Sequence, residues 1–473
     1  MKNSIGSGIF AVHLVIIGLI GCELEPIPPA IKNKREFYVP QVTDSQWYTI
    51  TAVKLAESEH CIVYADIDRN ITVSVAEAIT VEYETRIYPD ITRVFGTIAD
   101  VDGNGKVILL LLDIADGYTG SGGYVAGYFH PANMYKKSSA YPYSNEADML
   151  YLDVSPLIPG SKNFYVTIAH ELQHLINFSN TVTKNGKAQD IWIDEGLATG
   201  AEYIYGGDPH GRVAYFNADP YQSIRYGNNF FIWNGYWEDP SRSGAYYDSL
   251  ANYATAYLFF QWLRIHAHNG AGIYKEIIDS PHRDYRALTA AAEQRIASEF
   301  HNWETLLGNW MLANAYNAPN GFWGYKGEIK TELHSLNPAC GRDWGFSPGE
   351  GIFSALDESG EFTPDSDSGP HIRYIGFSKT GSPAFAAPYA GTYLLTFNIN
   401  VDQKGGDEKG YLANSVIADI QAGTESARNA AEVLTAFERP LPASYPIDIR
   451  FNLDGASSAD PQAPIQVKPD RFK

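Results

Sequence analysis

The chain has 473 residues, a formal net charge of -20 and 45% hydrophobic residues. That is enough apolar material for two or three domains with cores of their own, and it excludes a coiled coil, a collagen and a largely disordered chain. With 35 Lys and Arg against 55 Asp and Glu, no nucleic-acid partner is expected, because phosphate binding needs clustered cations.

In chain order, the first signal is Lys2 followed by an apolar run from Ile9 to Gly21, shorter than the roughly 20 residues of a helical membrane span. A basic start, a brief apolar run and small residues at its end read as an export signal over 1–21. Pro26, Pro28 and Pro29 then stiffen a tether, assigned to 22–37. In 38–160, Cys61–Tyr64 is a short apolar run and Ile71–Val75 alternates like a strand, whereas Ala76–Ile98 has helical spacing. Val107–Leu112 is wholly apolar between Asn104-Gly105 and Asp113 and reads as a buried strand. The Gly-rich stretch Gly120–Gly127 suits a surface loop or hairpin, and Met149–Val154 is another strand, closed by Pro156.

From 161 to 339 the period is helical. Past a polar junction at 363–370, Leu395, Phe397, Ile399 and Val401 alternate, as do Ile447, Ile449 and Phe451. Residues 340–473 therefore read as a mostly β domain of sandwich type. Strands first and helices afterwards give an α+β class. Three cysteines, Cys22, Cys61 and Cys340, are too few for a disulfide framework. Cys61 and Cys340 either pair or sit buried as small hydrophobes.

The chemistry concentrates on one helix. Ser161 can cap it, and Phe164, Ile168, Leu172, Leu175 and Ile176 share one face, with His170 and His174 on the opposite arc. Two imidazoles one turn apart can converge on a single cation, and Glu171 between them completes the zinc-hydrolase pattern. The bland alternative is a solvated helix face whose histidines do nothing. A catalytic zinc wants three protein ligands and one open position. A third histidine on a continuing tight turn would need Gly and His at 177 and 180, where Asn177 and Asn180 stand. Asp190 can instead cap a second helix from Ile191, and a carboxylate there can complete the set. Glu195 is expected, with Asp194 as rival on a different face. Glu202, seven residues beyond Glu195 on the same face, is either a hydrogen-bond partner of a ligating histidine or a plain surface carboxylate. A third helix, 246–268, carries Tyr253 and Tyr257 one turn apart, and ends in His266 and His268, which read as surface residues suited to a helix C-terminus. Asp100, Asp102, Asn104 and Gly105 begin like a calcium loop, but Leu111 stands where an EF-hand needs Glu. A tight polar turn and a Ca2+ site both remain open.

The segment His170-Glu171-Leu172-Gln173-His174, followed by Trp192-Ile193-Asp194-Glu195-Gly196-Leu197-Ala198, resembles the gluzincin group of zinc peptidases and, within it, the hyicolysin-type neutral metallopeptidases. Asp100–Val107 and Met149–Asp153 are also similar to that family, and the likeness runs from about residue 38 to about residue 320. It implies a zincin-like catalytic unit built from 38–160 and 161–339, with one catalytic Zn2+ held by His170, His174 and Glu195. It also implies Glu171 as general base and Tyr253, in Asn252-Tyr253-Ala254-Thr255, as oxyanion donor. Glu195 follows His174 by 21 residues, slightly more than the commonest spacing, with the extra length in the Asn185-Gly186 loop. Separately, Leu19-Ile20-Gly21-Cys22 resembles the bacterial lipobox, which implies cleavage before Cys22 and acylation of its thiol; an ordinary cleaved signal is the alternative. The expectation is a lipid-anchored, extracytoplasmic zinc endopeptidase acting on proteins or peptides and joined to a membrane through its anchor. The rival is a surface binding or adhesion lipoprotein with a peptidase-like domain, which has no need of Glu171.

Overall fold

A computed structural model describes residues 33–41, 46–119, 124–208, 211–220, 222–231, 249–336, 345–364, 366, 368–402 and 408–409. The export segment, Cys22, Cys340 and the 447–451 alternation lie outside these residues.

Six strands form one mixed sheet in the order β1-β2-β3-β4-β6-β5. They are β1 (Lys34–Pro40), β2 (Trp47–Glu57), β3 (Cys61–Asp66), β4 (Val107–Leu112), β5 (Gly127–Phe129) and β6 (Met149–Asp153). β3, β4 and β6 run parallel; β2 pairs antiparallel with both β1 and β3, and β5 at the other edge pairs antiparallel with β6. The all-apolar sequence of β4 follows from burial on both faces. Val107, Leu109 and Leu111 point into the main core, whereas Ile108, Leu110 and Leu112 join Phe37, Val39 and Tyr151 on the other side. β1 begins at Lys34, so the sheet takes the last four residues assigned to the tether. Cys61 is buried in β3, its Sγ 3.1 Å from Ser58 Oγ.

Ile71–Val75 is not a strand. Thr72 accepts from the Val75 amide at 3.3 Å and caps α1 (Val73–Glu82). Two or three alternating residues carry too little signal to outweigh a capping side chain. A wide turn, Tyr83–Ile87, leads on to α2 (Tyr88–Phe95).

The helical layer follows: α3 (Lys162–Phe178), α4 (Ile191–Gly206), α5 (Arg212–Ala218), α6 (Ser249–His266), α7 (Gly272–Asp279), α8 (Tyr285–Arg295) and α9 (Trp303–Tyr316). Ser161 caps α3, accepting from the Phe164 amide at 3.3 Å. Phe164, Ile168, Leu172, Leu175 and Ile176 pack with Leu109, Leu111, Leu150 and Leu152 of the sheet, as their spacing requires.

The C-terminal described residues are rich in strands. β7 (Ser335–Leu336), β8 (Gly351–Ala355), β10 (Ile372–Phe377) and β12 (Tyr393–Asn398) form a second sheet in the order β10-β12-β8-β7. β7 thus pairs across the boundary drawn at 339. One face of this sheet lies on α9: a Cβ at Gly308 would stand 3.3 Å from Phe397 and 3.4 Å from Ile375. Over the other face lies the two-stranded ribbon of β9 (Glu361–Phe362) and β11 (Tyr389–Ala390), whose Phe362 and Tyr389 rings meet Tyr374.

Candidate metal centre

α3 and α4 cross where the chemistry-bearing residues lie, and the sequence of α4 fixes that crossing. Trp192 sits in an aromatic cluster with Phe231 and Phe259, at centroid distances of 4.5 and 6.2 Å, which anchors the start of the helix. Gly196 leaves the gap through which the Phe260 ring of α6 enters; any Cβ there would overlap that ring. Trp192 and Gly196 therefore set the depth and rotation of α4, and with them the position of Glu195.

Glu195 reaches both histidines of α3. Its Oε2 lies 3.5 Å from His170 Nε2 and 3.6 Å from His174 Nε2. Two imidazole nitrogens and one carboxylate oxygen lie within 4.8 Å of one another and could hold a metal ion. All three residues are buried, with 5%, 1% and 1% exposure for His170, His174 and Glu195. The arc opposite the apolar face of α3 is thus not solvated; α4 and α6 cover it.

The outer nitrogens are tied as well. His170 Nδ1 donates to Glu202 Oε1 at 2.8 Å, and His174 Nδ1 donates to Asp194 Oδ1 at 3.0 Å. An ionised carboxylate can only accept, so each Nδ1 carries a hydrogen, which leaves each Nε2 as the nitrogen that could coordinate a cation together with Glu195. Two imidazoles, one carboxylate and a carboxylate behind each ring match the donor set and surroundings of a zinc site. The residues fit that metal.

Glu171 is buried beside this set without belonging to it. Its Oε2 accepts from the Phe129 amide of β5 at 2.9 Å, which holds the carboxylate between the sheet edge and α3. Tyr253 of α6 is buried, and its ring centroid lies 6.1 Å from that of His170. Tyr257, one turn further on, is buried too, and desolvation raises its phenol well above the ordinary range.

The structure decides between the alternatives at Glu202 and Asp194 and overturns the reading of His266. Glu202 is no surface carboxylate; it is 1% exposed and stands behind His170. Asp194 touches the outer nitrogen of His174 and takes no place in the convergent set, because adjacent helical residues diverge by about 100°. His266 is buried rather than at the surface: its Nε2 donates to the Gly324 carbonyl at 2.9 Å, and burial lowers its pKa to about 4. His268 is exposed, as read. At the acidic segment the backbone folds as a polar turn. Asp100 Oδ1 accepts from Gly103 and Asn104 amides at 2.8 and 3.0 Å, and Asn104 Oδ1 accepts from the Lys106 amide at 2.6 Å. Asp148, whose carboxyl burial pushes up to about 7, joins Asp100 and Asp102 there as a possible cation site.

Arg212 carried no sequence signal. It is buried on α5, and its Nη2 and Nε donate to Glu202 Oε1 and Oε2 at 2.8 and 3.2 Å. Its guanidinium carbon stands 4.7 Å from the Tyr253 ring centroid. Burial opposes the Arg212 charge, and Glu202, with smaller help from Tyr253 and Asp208, more than restores it, so its pKa lies above the ordinary value.

No family model matches the chain. Over 280 residues it is 33% identical to the neutral metalloprotease ShpI of Staphylococcus hyicus, an alignment covering 57% of this chain and 60% of that protein. The chain thus spans about 60% of the length of that relative. Among solved structures, yeast LTA4 hydrolase in complex with bestatin gives a TM-score of 0.32 and 14% identity over 64% of this chain and 46% of that one. At that level the likeness says nothing of fold or function. Over its matched stretch, the chain is similar to that neutral metalloprotease, the kind of peptidase its His-Glu-x-x-His and Trp-x-x-Glu-Gly segments resemble.

Proposed function

We propose that this protein is a zinc-dependent endopeptidase that hydrolyses peptide bonds in proteins or peptides outside the cytoplasm. The observation that carries the reading is the buried convergence of His170, His174 and Glu195, with a carboxylate behind each imidazole. Sequence identity to a neutral metalloprotease supports it independently.

Zinc held by these three residues would supply Lewis acidity, polarising the scissile carbonyl and acidifying water. Glu171 takes the proton of the attacking water and passes it to the leaving amine. The Phe129 amide holds one oxygen of Glu171 and so orients the carboxylate for that shuttle. Tyr253 is assigned to donate to the oxyanion of the tetrahedral intermediate. Its place beside His170 supports that role.

The signal segment and Cys22 are assigned to export and lipid anchoring, which would put the protein on the outer side of a membrane. Detergent partition of the full chain tests this: wild type in the detergent phase and Cys22→Ser in the aqueous phase support the anchor, and an aqueous wild type rejects it. Calcium at the Asp100 turn rests on the approach of Asp148 to Asp100 and Asp102. A Tm unmoved by calcium in zinc-saturated protein would remove that second ion.

The test of the main reading is zinc content together with cleavage of casein. One zinc per chain, activity lost on chelation and activity restored by zinc are expected. Purified protein that binds no transition metal at neutral pH would end the enzyme reading.

A further inference from the structure

We propose that Arg212 is a positioning residue of the metal centre, a single guanidinium that fixes both the carboxylate behind His170 and the ring of Tyr253. This rests on the zinc reading above.

The two histidines are supported unequally. Asp194, behind His174, has a side chain 17% exposed, so water can share in solvating its charge. Glu202, behind His170, is 1% exposed. A buried carboxylate facing a neutral imidazole is costly without a cation, and Arg212 is the cation that meets it. The contact is a fork. Glu202 Oε1 accepts at 2.8 Å from both His170 Nδ1 and Arg212 Nη2, and Oε2 accepts from Arg212 Nε at 3.2 Å. Two parallel donors fix the plane of the carboxylate, and that plane fixes the ring of His170; a single ammonium would leave it free to rotate.

The same guanidinium lies over Tyr253, 4.7 Å from its centroid, within cation–π range. Tyr253 stands on α6, Glu202 on α4 and Arg212 on α5, so one side chain ties three helices at the centre. Arg212 is itself held at the first turn of α5. Asp208 Oδ1 accepts from the Arg212 amide at 2.7 Å, and Oδ2 accepts from the Val213 amide at 3.0 Å. A shift of Arg212 would therefore move the ring that ligates and the ring assigned to the oxyanion together. A residue supporting only the ligand would affect zinc affinity alone.

The test uses the full chain and zinc as the probe. Zinc affinity is measured by competition with a chromophoric chelator, and kcat and KM on casein peptides are measured at saturating zinc. Arg212→Gln is expected to weaken zinc binding about 10–100-fold, the usual range for a partner behind a metal ligand. With zinc saturating, kcat should fall while KM stays near wild type, because Arg212 orients Tyr253 and does not hold substrate. Arg212→Lys keeps the charge but loses the fork, and should fall between the two; it carries the comparison where Arg212→Gln does not fold. Combined with Glu202→Gln, the losses in zinc affinity should not add, since both act through one carboxylate. Variants that lower Tm but keep wild-type zinc affinity and kcat would overturn the proposal and leave the zinc reading standing. A wild type without zinc would remove both.

Discussion

Asp194 and Glu195 stand one residue apart, and the helix sends them to opposite nitrogens of one imidazole. Asp194 meets His174 Nδ1, and Glu195 approaches His174 Nε2. Only a group on the Nε2 side can share the cation, so the two side chains should separate in metal analysis. Glu195→Ala is expected to lose zinc at stoichiometric metal. Asp194→Ala should fill at saturating metal, with affinity about 10–100-fold weaker. The opposite pattern would make Asp194 the third ligand. Glu171→Gln removes the proposed base and no member of the convergent set, and its amide oxygen can still accept from the Phe129 amide. It should therefore bind zinc like wild type while activity drops by about 10²–10⁴. A variant that cleaves casein at the wild-type rate would take the base away from Glu171. Of these residues, His170 and His174 are legible from spacing, since i, i+4 periodicity is local, whereas Glu195 needs the likeness of the Trp-x-x-Glu-Gly segment to be preferred to Asp194. Arg212 is not legible: it is one of 35 cations in the sequence, and its role depends on a packing of three helices that no local pattern records.

At the scale of elements, the Trp-x-x-Glu-Gly segment does more than place Glu195 beside the histidines. Gly196 is where α6 approaches α4, and one turn later a Cβ at Gly200 would stand 3.0 Å from Tyr274 Cε2 of α7. Two glycines on one helix face let two neighbouring helices come close. Gly196→Ala should then destabilise the protein by about 1–3 kcal/mol through overpacking and displace Glu195 from the histidines. Urea unfolding and zinc affinity would register the two effects together. A variant as stable as wild type, with normal zinc binding, would show that Phe260 can move aside freely. The elements themselves were read unevenly. β4 and α3 announce themselves, because a two-sided buried strand and an amphipathic helix leave long, regular patterns. Only the first turn of α1 reads as a strand, because Ile71–Val75 is too short to show a period and the cap at Thr72 decides its conformation; from Ala76 onward the helical spacing holds.

At the scale of the whole molecule, the α+β layering was visible in the order of strand-like and helix-like segments, whereas the packing of the C-terminal sheet on α9 was not. That contact depends on Gly308 meeting Phe397 and Ile375 at long sequence separation. The acid limit of the fold follows from such long-range burial. His266, at the end of α6, packs against Trp262 and Phe322 at centroid distances of 4.8 and 5.4 Å and donates to the Gly324 carbonyl. Burial lowers its pKa to about 4; the charge of Lys326 adds to the lowering, and the Gly324 bond and Glu328 oppose it. In the unfolded chain the same ring titrates near about 6.5. A folded value below the unfolded one means that the unfolded state takes up the proton first. The contribution of His266 is therefore complete above about pH 6.5 and is lost as the pH falls toward about 4. Urea unfolding measured from pH 8 to pH 4 should show stability declining across that window in the wild type. The decline should be shallower in His266→Gln, which has no proton to gain and can still donate to Gly324. Parallel curves for the two proteins would mean that His266 is protonated in the fold without penalty, and the acid sensitivity would then belong to other buried groups.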